Sequence, residues 1–118
     1  MLTTEDLLRL LPGRTLHHEL APGSPQGEGL ALFHFGADGR AVARLPGGRL
    51  ISGAYRIQDD AYVLDWDGGL QNSRSTLTPD ESGRYICRNA ETGAVRSTVV
   101  DVVDGDPAGL SSARSTSL

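Results

Sequence analysis

Short stretches that alternate between apolar and polar residues dominate the chain from residue 14 onward. Turn sequences such as Asp-Gly and Gly-Gly separate them at intervals of about 8 to 12 residues, and this spacing is typical of an all-β sandwich or barrel. The pattern predicts eight strands, at residues 14–20, 28–35, 40–45, 49–57, 61–66, 70–77, 84–88 and 94–103.

The first residues show a different pattern, that of a short amphipathic helix. Thr3 and Thr4 are good N-terminal caps, and the two acidic residues that follow favour the first helical turn. Leucines then form a wide apolar face until a Pro-Gly pair at 12–13 removes a backbone donor and permits a left-handed turn. We predict a helix over residues 5–11.

The turns between the predicted strands are too short for parallel crossovers, which need about a dozen residues. Neighbouring strands are therefore expected to be antiparallel and sequential, and closure of this meander removes two exposed edges. We predict an all-β fold in which about eight antiparallel strands close into a β-barrel behind one short N-terminal helix. Residues 1–103 form the single domain, residues 21–27 are a candidate lid, and residues 104–118 are expected to be a flexible tail.

The hairpin around Asp59-Asp60 has the most clearly defined register. If these two residues form the turn, antiparallel counting pairs three residues on each side of it: Ile57 with Tyr62, Tyr55 with Leu64, and Gly53 with Trp66. These six residues share one face, and their size predicts that this face is the interior. Arg56 and Asp65 are expected to form a surface pair outside.

The second predicted strand leaves two orientations open. In Leu30-Ala31-Leu32-Phe33-His34-Phe35, the two phenylalanines and His34 must face opposite sides of the sheet. Either Phe33 and Phe35 fill the interior and His34 points out, or His34 points inward with Leu30 and Leu32.

Charge and composition exclude several classes of function. The 118 residues carry a net charge of −4 with scattered acids, and all eleven basic residues are arginine, which excludes Schiff-base and other lysine chemistry. An acidic domain is at a disadvantage against phosphate backbones, so no nucleic-acid partner is expected. No apolar run is long enough to span a membrane, and the acidic N-terminus lacks the charge of a secretory signal. We expect a cytoplasmic location and no membrane partner.

Candidate chemistry is sparse. The single Cys87 excludes an internal disulfide and paired-cysteine zinc sites, and it is expected to be a small buried residue. His17 and His18 point to opposite faces, so only one of them can act together with His34 on the next strand. Arg74 lies in the least apolar strand, which either faces water or lines a hydrated cavity where an arginine binds a carboxylate or enolate. No metal and no cofactor are predicted.

The arrangement resembles the calycin group, which comprises lipocalins, fatty-acid-binding proteins, avidins and small bacterial lipocalin-like domains. The likeness rests on the short helix ending at Pro-Gly, the meander, and residues 53–57 (Gly-Ala-Tyr-Arg-Ile) and 62–66 (Tyr-Val-Leu-Asp-Trp) around a tight turn. It covers roughly residues 7–103. The first strand begins Gly-Arg-Thr, where lipocalins usually have Gly-x-Trp. The resemblance implies a barrel with a small-molecule pocket, with Tyr55 and Trp66 facing it.

Three hypotheses about function follow. In the first, the barrel binds a small, largely apolar molecule. Its cavity is lined by Phe33, Tyr55, Tyr62 and Trp66, and Arg74 or His34 orients a polar group of the ligand. In the second, the same barrel is a cofactor-free cyclase or isomerase for a secondary-metabolite intermediate, with His34, Tyr55 and Arg74 as catalytic candidates. In the third, it is a protein-interaction module without a pocket. Whether the protein is an enzyme, and whether it forms a homodimer, stays open.

Overall fold

The computed structural model describes residues 1–24, 27–69 and 72–110. Within them lie one short helix, α1 (Thr4–Leu10), and a 3₁₀ turn at Asp67–Gly69. The other regular elements are eight strands: β1 (Arg14–Leu20), β2 (Leu30–Phe35), β3 (Arg40–Arg44), β4 (Leu50–Gln58), β5 (Ala61–Trp66), β6 (Ser73–Pro79), β7 (Tyr85–Asn89) and β8 (Val95–Asp104).

The strands form a closed antiparallel barrel in which their order in space is their order along the chain. Each strand pairs with the next, and β1 closes the barrel by pairing with β8. Closure leaves no strand edge unpaired, which is the advantage expected of a short meander. The predicted all-β fold, its strand count and its closure are confirmed. The largest boundary difference is at β6, which was predicted over 70–77; residues 70 and 71 lie outside the described residues.

Helix α1 closes one end of the barrel. Its N-cap is Thr3, whose hydroxyl accepts a hydrogen bond from the Asp6 amide at 3.2 Å while the Asp6 carboxylate accepts from the Thr3 amide. The Thr4 amide donates to Asp60 Oδ1 at 2.7 Å, which ties the helix to the turn between β4 and β5. Leu7 and Leu11 are fully buried in the core. The predicted helix is confirmed, with each end one residue earlier.

The β4–β5 hairpin has the predicted register. Asp59 and Asp60 both adopt positive φ, 54° and 59°, as a two-residue type I′ turn requires. The cross-strand pairs are those predicted from this turn: Gly53↔Trp66, Tyr55↔Leu64 and Ile57↔Tyr62. On the outer face Arg56 and Asp65 form the expected surface ion pair at 2.7 Å.

Gly53 marks a close approach between β4 and β5. A Cβ atom added at this position would lie 2.1 Å from the Asp65 carbonyl oxygen and 2.8 Å from the Trp66 Cα. Both contacts are with backbone atoms, which cannot rotate out of the way. Only glycine therefore fits at this position, and it sets the distance between the strand that carries Trp66 and its neighbour.

The interior of the barrel is filled in its α1 half by aromatic and aliphatic side chains. Phe35 makes edge-on contacts with Tyr55 and Tyr62, at centroid distances of 5.0 and 5.7 Å. Phe33 and Phe35 both belong to the core, whereas His34 lies on the outer face, where its Nδ1 is 3.1 Å from Thr15 Oγ1. Of the two orientations considered for β2, the one with the phenylalanines inside is confirmed.

The chain after β8 folds back onto the barrel as far as the structure describes it. The Gly105 amide donates to the Gly13 carbonyl at 2.8 Å, and the Gly105 carbonyl accepts from the Thr15 hydroxyl at 2.8 Å. Leu110 is buried. The rest of the predicted tail, residues 111–118, lies outside the described residues. Among the described residues, no helix is long and apolar enough to cross a membrane.

Candidate functional site

A cavity of about 320 Å³ occupies the half of the barrel away from α1. It is bounded by residues near the end of β1, β5 and β7 and near the start of β6 and β8. Residues 21–24 of the β1–β2 connection lie at its mouth, while residues 25 and 26 of the predicted lid lie outside the described residues. The barrel is therefore packed solid at one end and hollow at the other.

One wall of the cavity is apolar. Phe33 from β2 and Trp66 from β5 face it with ring centroids 6.1 Å apart and an interplanar angle of 51°. Leu64 and Leu20 extend this surface. Both aromatic rings are buried. A planar apolar group can pack against this wall, because tilted aromatic contacts at such distances are favourable.

The opposite wall is polar and comes from three consecutive strands, β6, β7 and β8. Hydroxyl, amide and thiol groups project from it into the cavity: Ser73, Ser75, Cys87, Asn89 and Ser97. The sequence had left open whether the polar sixth strand faces water or lines a cavity. Its serines line the cavity, so this wall offers hydrogen-bond donors and acceptors to a bound molecule.

Tyr62 forms the floor of the cavity. Its hydroxyl lies 3.3 Å from the Cys87 sulfur, and both residues are buried. Burial, with the neighbouring Cys87 thiol as a second cause, raises the pKa of Tyr62 well above the usual phenol value of 10.0. The phenol therefore stays neutral near pH 7. Cys87 is buried as predicted, but it is also part of the cavity wall.

His18 projects from β1 into the cavity and is only 3 % exposed. Its Nδ1 lies 2.8 Å from Ser97 Oγ, and its ring lies 4.6 Å from that of Phe33 between centroids. Its Nε2 has no hydrogen-bond partner among the described residues. Burial, with a smaller contribution from His17, lowers the pKa of His18 to about 3. The imidazole is therefore neutral at physiological pH and has one unused polar atom.

Arg96 enters the cavity because of a β-bulge. Cys87 and Arg88 are consecutive in β7 but pair with Ser97 and Val95, so Arg96 is the extra residue in β8. Without the bulge, alternation from Ser97 would direct Val95 inward and Arg96 outward. With it, Arg96 lines the cavity, and Val95, which also borders the cavity, is 50 % exposed.

One nitrogen of the Arg96 guanidinium lacks a protein partner among the described residues. Its Nε is shielded from solvent and has no hydrogen bond among the described residues. The ion pairs found in this part of the chain involve other arginines, namely Arg9, Arg14, Arg40 and Arg56. An arginine is always charged in proteins, and a buried donor nitrogen without a partner is costly. The cavity lining therefore contains a positive charge and, among the described residues, no Asp or Glu.

The structure brings together three of the residues predicted to bind a ligand: Phe33, Tyr62 and Trp66 line the cavity. Tyr55 also faces the interior, but in the half filled by α1, where its hydroxyl donates to the Gly36 carbonyl at 2.7 Å. Arg74 pairs across the sheet with Val63 and, like His34, lies on the outer face. Of the three catalytic candidates, none lines the cavity.

Two residues with an unpartnered buried nitrogen line the cavity: His18, which the sequence analysis named without choosing between it and His17, and Arg96, which it did not single out. A signal for His18 was present, because it shares the parity of Leu16 and Leu20, both buried. No comparable signal marks Arg96, since its orientation depends on the bulge. The described residues contain no group of three or more His, Cys, Asp and Glu side chains that could hold a metal ion.

The sequence was also compared with known proteins. No protein-family model matches the chain, and neither does any curated protein sequence.

Proposed function

We propose that the protein binds one small organic molecule with a planar apolar body inside the barrel. The observation that carries this proposal is the hollow half of the barrel, about 320 Å³ in volume. An eight-stranded barrel is either just filled by side chains or just able to hold one ligand. Ligand sites commonly measure about 300 to 1,000 Å³, so this cavity suits a compact molecule.

The two walls define the character of the ligand more closely than the sequence did. A largely apolar molecule was expected, and the Phe33–Trp66 wall suits one. The facing wall of serines, Asn89 and Arg96 would lose hydrogen bonds to water against a purely apolar surface. A molecule that is apolar on one side and polar on the other satisfies both walls.

We include in this proposal the resemblance to the calycin group. Three features support it: eight antiparallel strands, consecutive strand order around a closed barrel, and a short helix before β1 that covers one end. A fold alone does not determine activity, so the argument for binding rests on the cavity and not on the likeness. The cytoplasmic location, the absence of nucleic-acid and membrane partners, and the homodimer stay predictions.

A second candidate function is the cofactor-free cyclase or isomerase. It is favoured by one observation: Tyr62, Arg96 and His18 all face the same cavity. An arginine and two neutral hydrogen-bond donors can stabilise negative charge that develops in a substrate, while the walls hold it in a reactive conformation. His18, whose pKa is lowered to about 3, is a weak base, so such catalysis would rest on orientation and electrostatics. The cavity argues against the pocketless module.

The binding proposal is tested with N-phenylnaphthylamine, a neutral probe whose emission rises in apolar surroundings. We expect saturable binding to the wild-type protein, with energy transfer from Trp66, which is the only tryptophan. Ser75→Phe places a ring inside the cavity and is expected to weaken binding at least about tenfold. The matched control, Thr76→Phe, adds the same ring to the adjacent residue on the outer face.

Two results would contradict the proposal. One is the absence of saturable binding to the wild-type protein. The other is equal weakening by Ser75→Phe and Thr76→Phe, which would locate the probe outside the barrel. Circular dichroism of both variants establishes that the barrel is retained.

A further inference from the structure

We infer that the bound molecule is an organic acid, whose carboxylate pairs with Arg96 and whose planar apolar body lies against Phe33 and Trp66. This inference rests on the proposed binding function and specifies the class of ligand. It depends on two residues that line the same cavity, Arg96 and His18, each of which has a buried nitrogen without a hydrogen-bond partner among the described residues.

The first argument concerns the charge of Arg96. The cavity lining described in the structure contains this arginine and no Asp or Glu. The protein as a whole carries a net charge of −4, so acidic groups are plentiful elsewhere on the chain. Four other arginines pair with such groups, as Arg56 does with Asp65. An arginine in a cavity lining without acidic side chains points to an anion supplied from outside.

The second argument concerns how Arg96 reaches the cavity. A regular β8 would leave this side chain in water, where an unpaired arginine costs nothing. The bulge in β8, opposite Cys87 and Arg88, instead places Arg96 in the lining of the cavity. Bulges commonly redirect a side chain next to a functional site, and this one creates the positive charge on which recognition of an acid depends.

The third argument concerns His18 as a second donor. The pKa of His18, lowered by burial, keeps the ring neutral. One ring nitrogen of a neutral imidazole carries a proton and the other accepts. When the Ser97 hydroxyl donates to Nδ1 at 2.8 Å, the proton is on Nε2, the ring nitrogen that has no partner among the described residues. Arg96 and His18 thus bring a charged and a neutral donor group to the lining of one cavity.

The fourth argument concerns the rest of the molecule. Phe33 contacts both His18, at 4.6 Å, and Trp66, at 6.1 Å between ring centroids. The apolar wall therefore begins beside the imidazole and continues to the indole. A compact acid with its carboxylate at the polar wall has an aromatic surface within reach for its body, and the cavity of about 320 Å³ limits that body to a few fused or linked rings.

The test uses isothermal titration calorimetry to compare a charged and a neutral version of one molecule. These are naphthalene carboxylate, an anion, and naphthalene carboxamide, which is neutral. The two differ in charge and hardly in shape. Because a hydrogen bond to a charged group is stronger than one to a neutral group, we expect the carboxylate to bind the wild-type protein roughly ten- to a hundredfold more tightly than the carboxamide. Arg96→Met is expected to reduce carboxylate binding to the level of the carboxamide and to leave carboxamide binding unchanged.

Arg88→Met is the matched control, since it removes the same charge from the neighbouring strand at a position that pairs with Thr76 on the outer face. It is expected to keep the preference for the carboxylate. Arg96→Lys keeps the charge and removes Nε, so its preference for the carboxylate over the carboxamide is expected to lie between those of wild type and Arg96→Met. This variant also tests the inference if Arg96→Met does not fold.

The outcomes separate the inference from the proposed function. Equal binding of carboxylate and carboxamide to the wild-type protein overturns the inference and leaves the cavity as a ligand site. A preference that survives Arg96→Met overturns the role of Arg96. If neither naphthalene compound nor N-phenylnaphthylamine binds, the proposed function itself is wrong.

Discussion

His18 predicts a loss of stability in mild acid. Its imidazole is buried and neutral in the folded protein, with the pKa lowered from 6.5 to about 3, whereas in the unfolded chain it titrates normally. Above pH 6.5 both states are unprotonated at His18 and the residue adds no pH dependence. Between that pH and about 3 only the unfolded state binds the proton, so the free energy of unfolding falls as pH falls.

The magnitude follows from the size of this window. Each pH unit below 6.5 costs about 1.4 kcal/mol as long as the folded state stays unprotonated. At about pH 5 the loss amounts to about 2 kcal/mol relative to about pH 7.5. Restricting the experiment to this range keeps most carboxyl groups ionised. The other charged and titratable side chains that line the cavity with His18 are Arg96, Tyr62 and Cys87.

The assay is urea unfolding at several pH values, followed by circular dichroism. His18→Gln is expected to reduce the fall in the free energy of unfolding between about pH 7.5 and about pH 5 by about 2 kcal/mol. This holds whatever the effect of the substitution on stability at neutral pH. His34→Gln makes the same change on the outer face and is expected to keep the wild-type fall. The reasoning is refuted if wild-type protein and His18→Gln lose stability in parallel.

Three further predictions concern the barrel and its site. Gly53→Ala is expected to lower the free energy of unfolding by about 3 kcal/mol because its Cβ meets backbone, whereas Ser52→Ala on the outer face removes only an exposed hydrogen bond to Asp67 and lowers it by less than about 1 kcal/mol; equal urea midpoints would contradict this. Leu7→Ala is expected to cost about 3 kcal/mol by opening the end that α1 closes, and Leu8→Ala, exposed on the same helix, serves as its control in thermal unfolding. Arg96→Met is expected to stabilise the ligand-free protein by about 1 kcal/mol, since it removes an unpaired shielded charge; a lower Tm than wild type would contradict this.

The elements predicted correctly from sequence are those with local determinants. The register of β4 and β5 follows from a two-residue turn, because counting outward from Asp59-Asp60 leaves no freedom. Helix α1 follows from its cap and its Pro-Gly ending. The closed meander follows from short connections, which allow only neighbouring antiparallel strands.

The site was predicted less completely, because it depends on features that the sequence does not mark. Between β5 and β6 the connection is longer than a tight turn, so the parity of β6 was undetermined and the orientation of Arg74 stayed open. Arg96 faces the cavity only through the bulge, which has no turn residues to reveal it. Tyr55 faces the interior as predicted, but it does not line the cavity. The cavity occupies only the half of the barrel that α1 leaves empty, and the sequence does not mark where that half begins.

The most direct test of the central claim is a crystal structure of the protein with bound naphthalene carboxylate. We predict that the rings lie inside the barrel against Phe33 and Trp66 and that the carboxylate lies within hydrogen-bond distance of the Arg96 guanidinium. A ligand on the outer surface, or a carboxylate directed at solvent while Arg96 stays unpaired, would contradict the account.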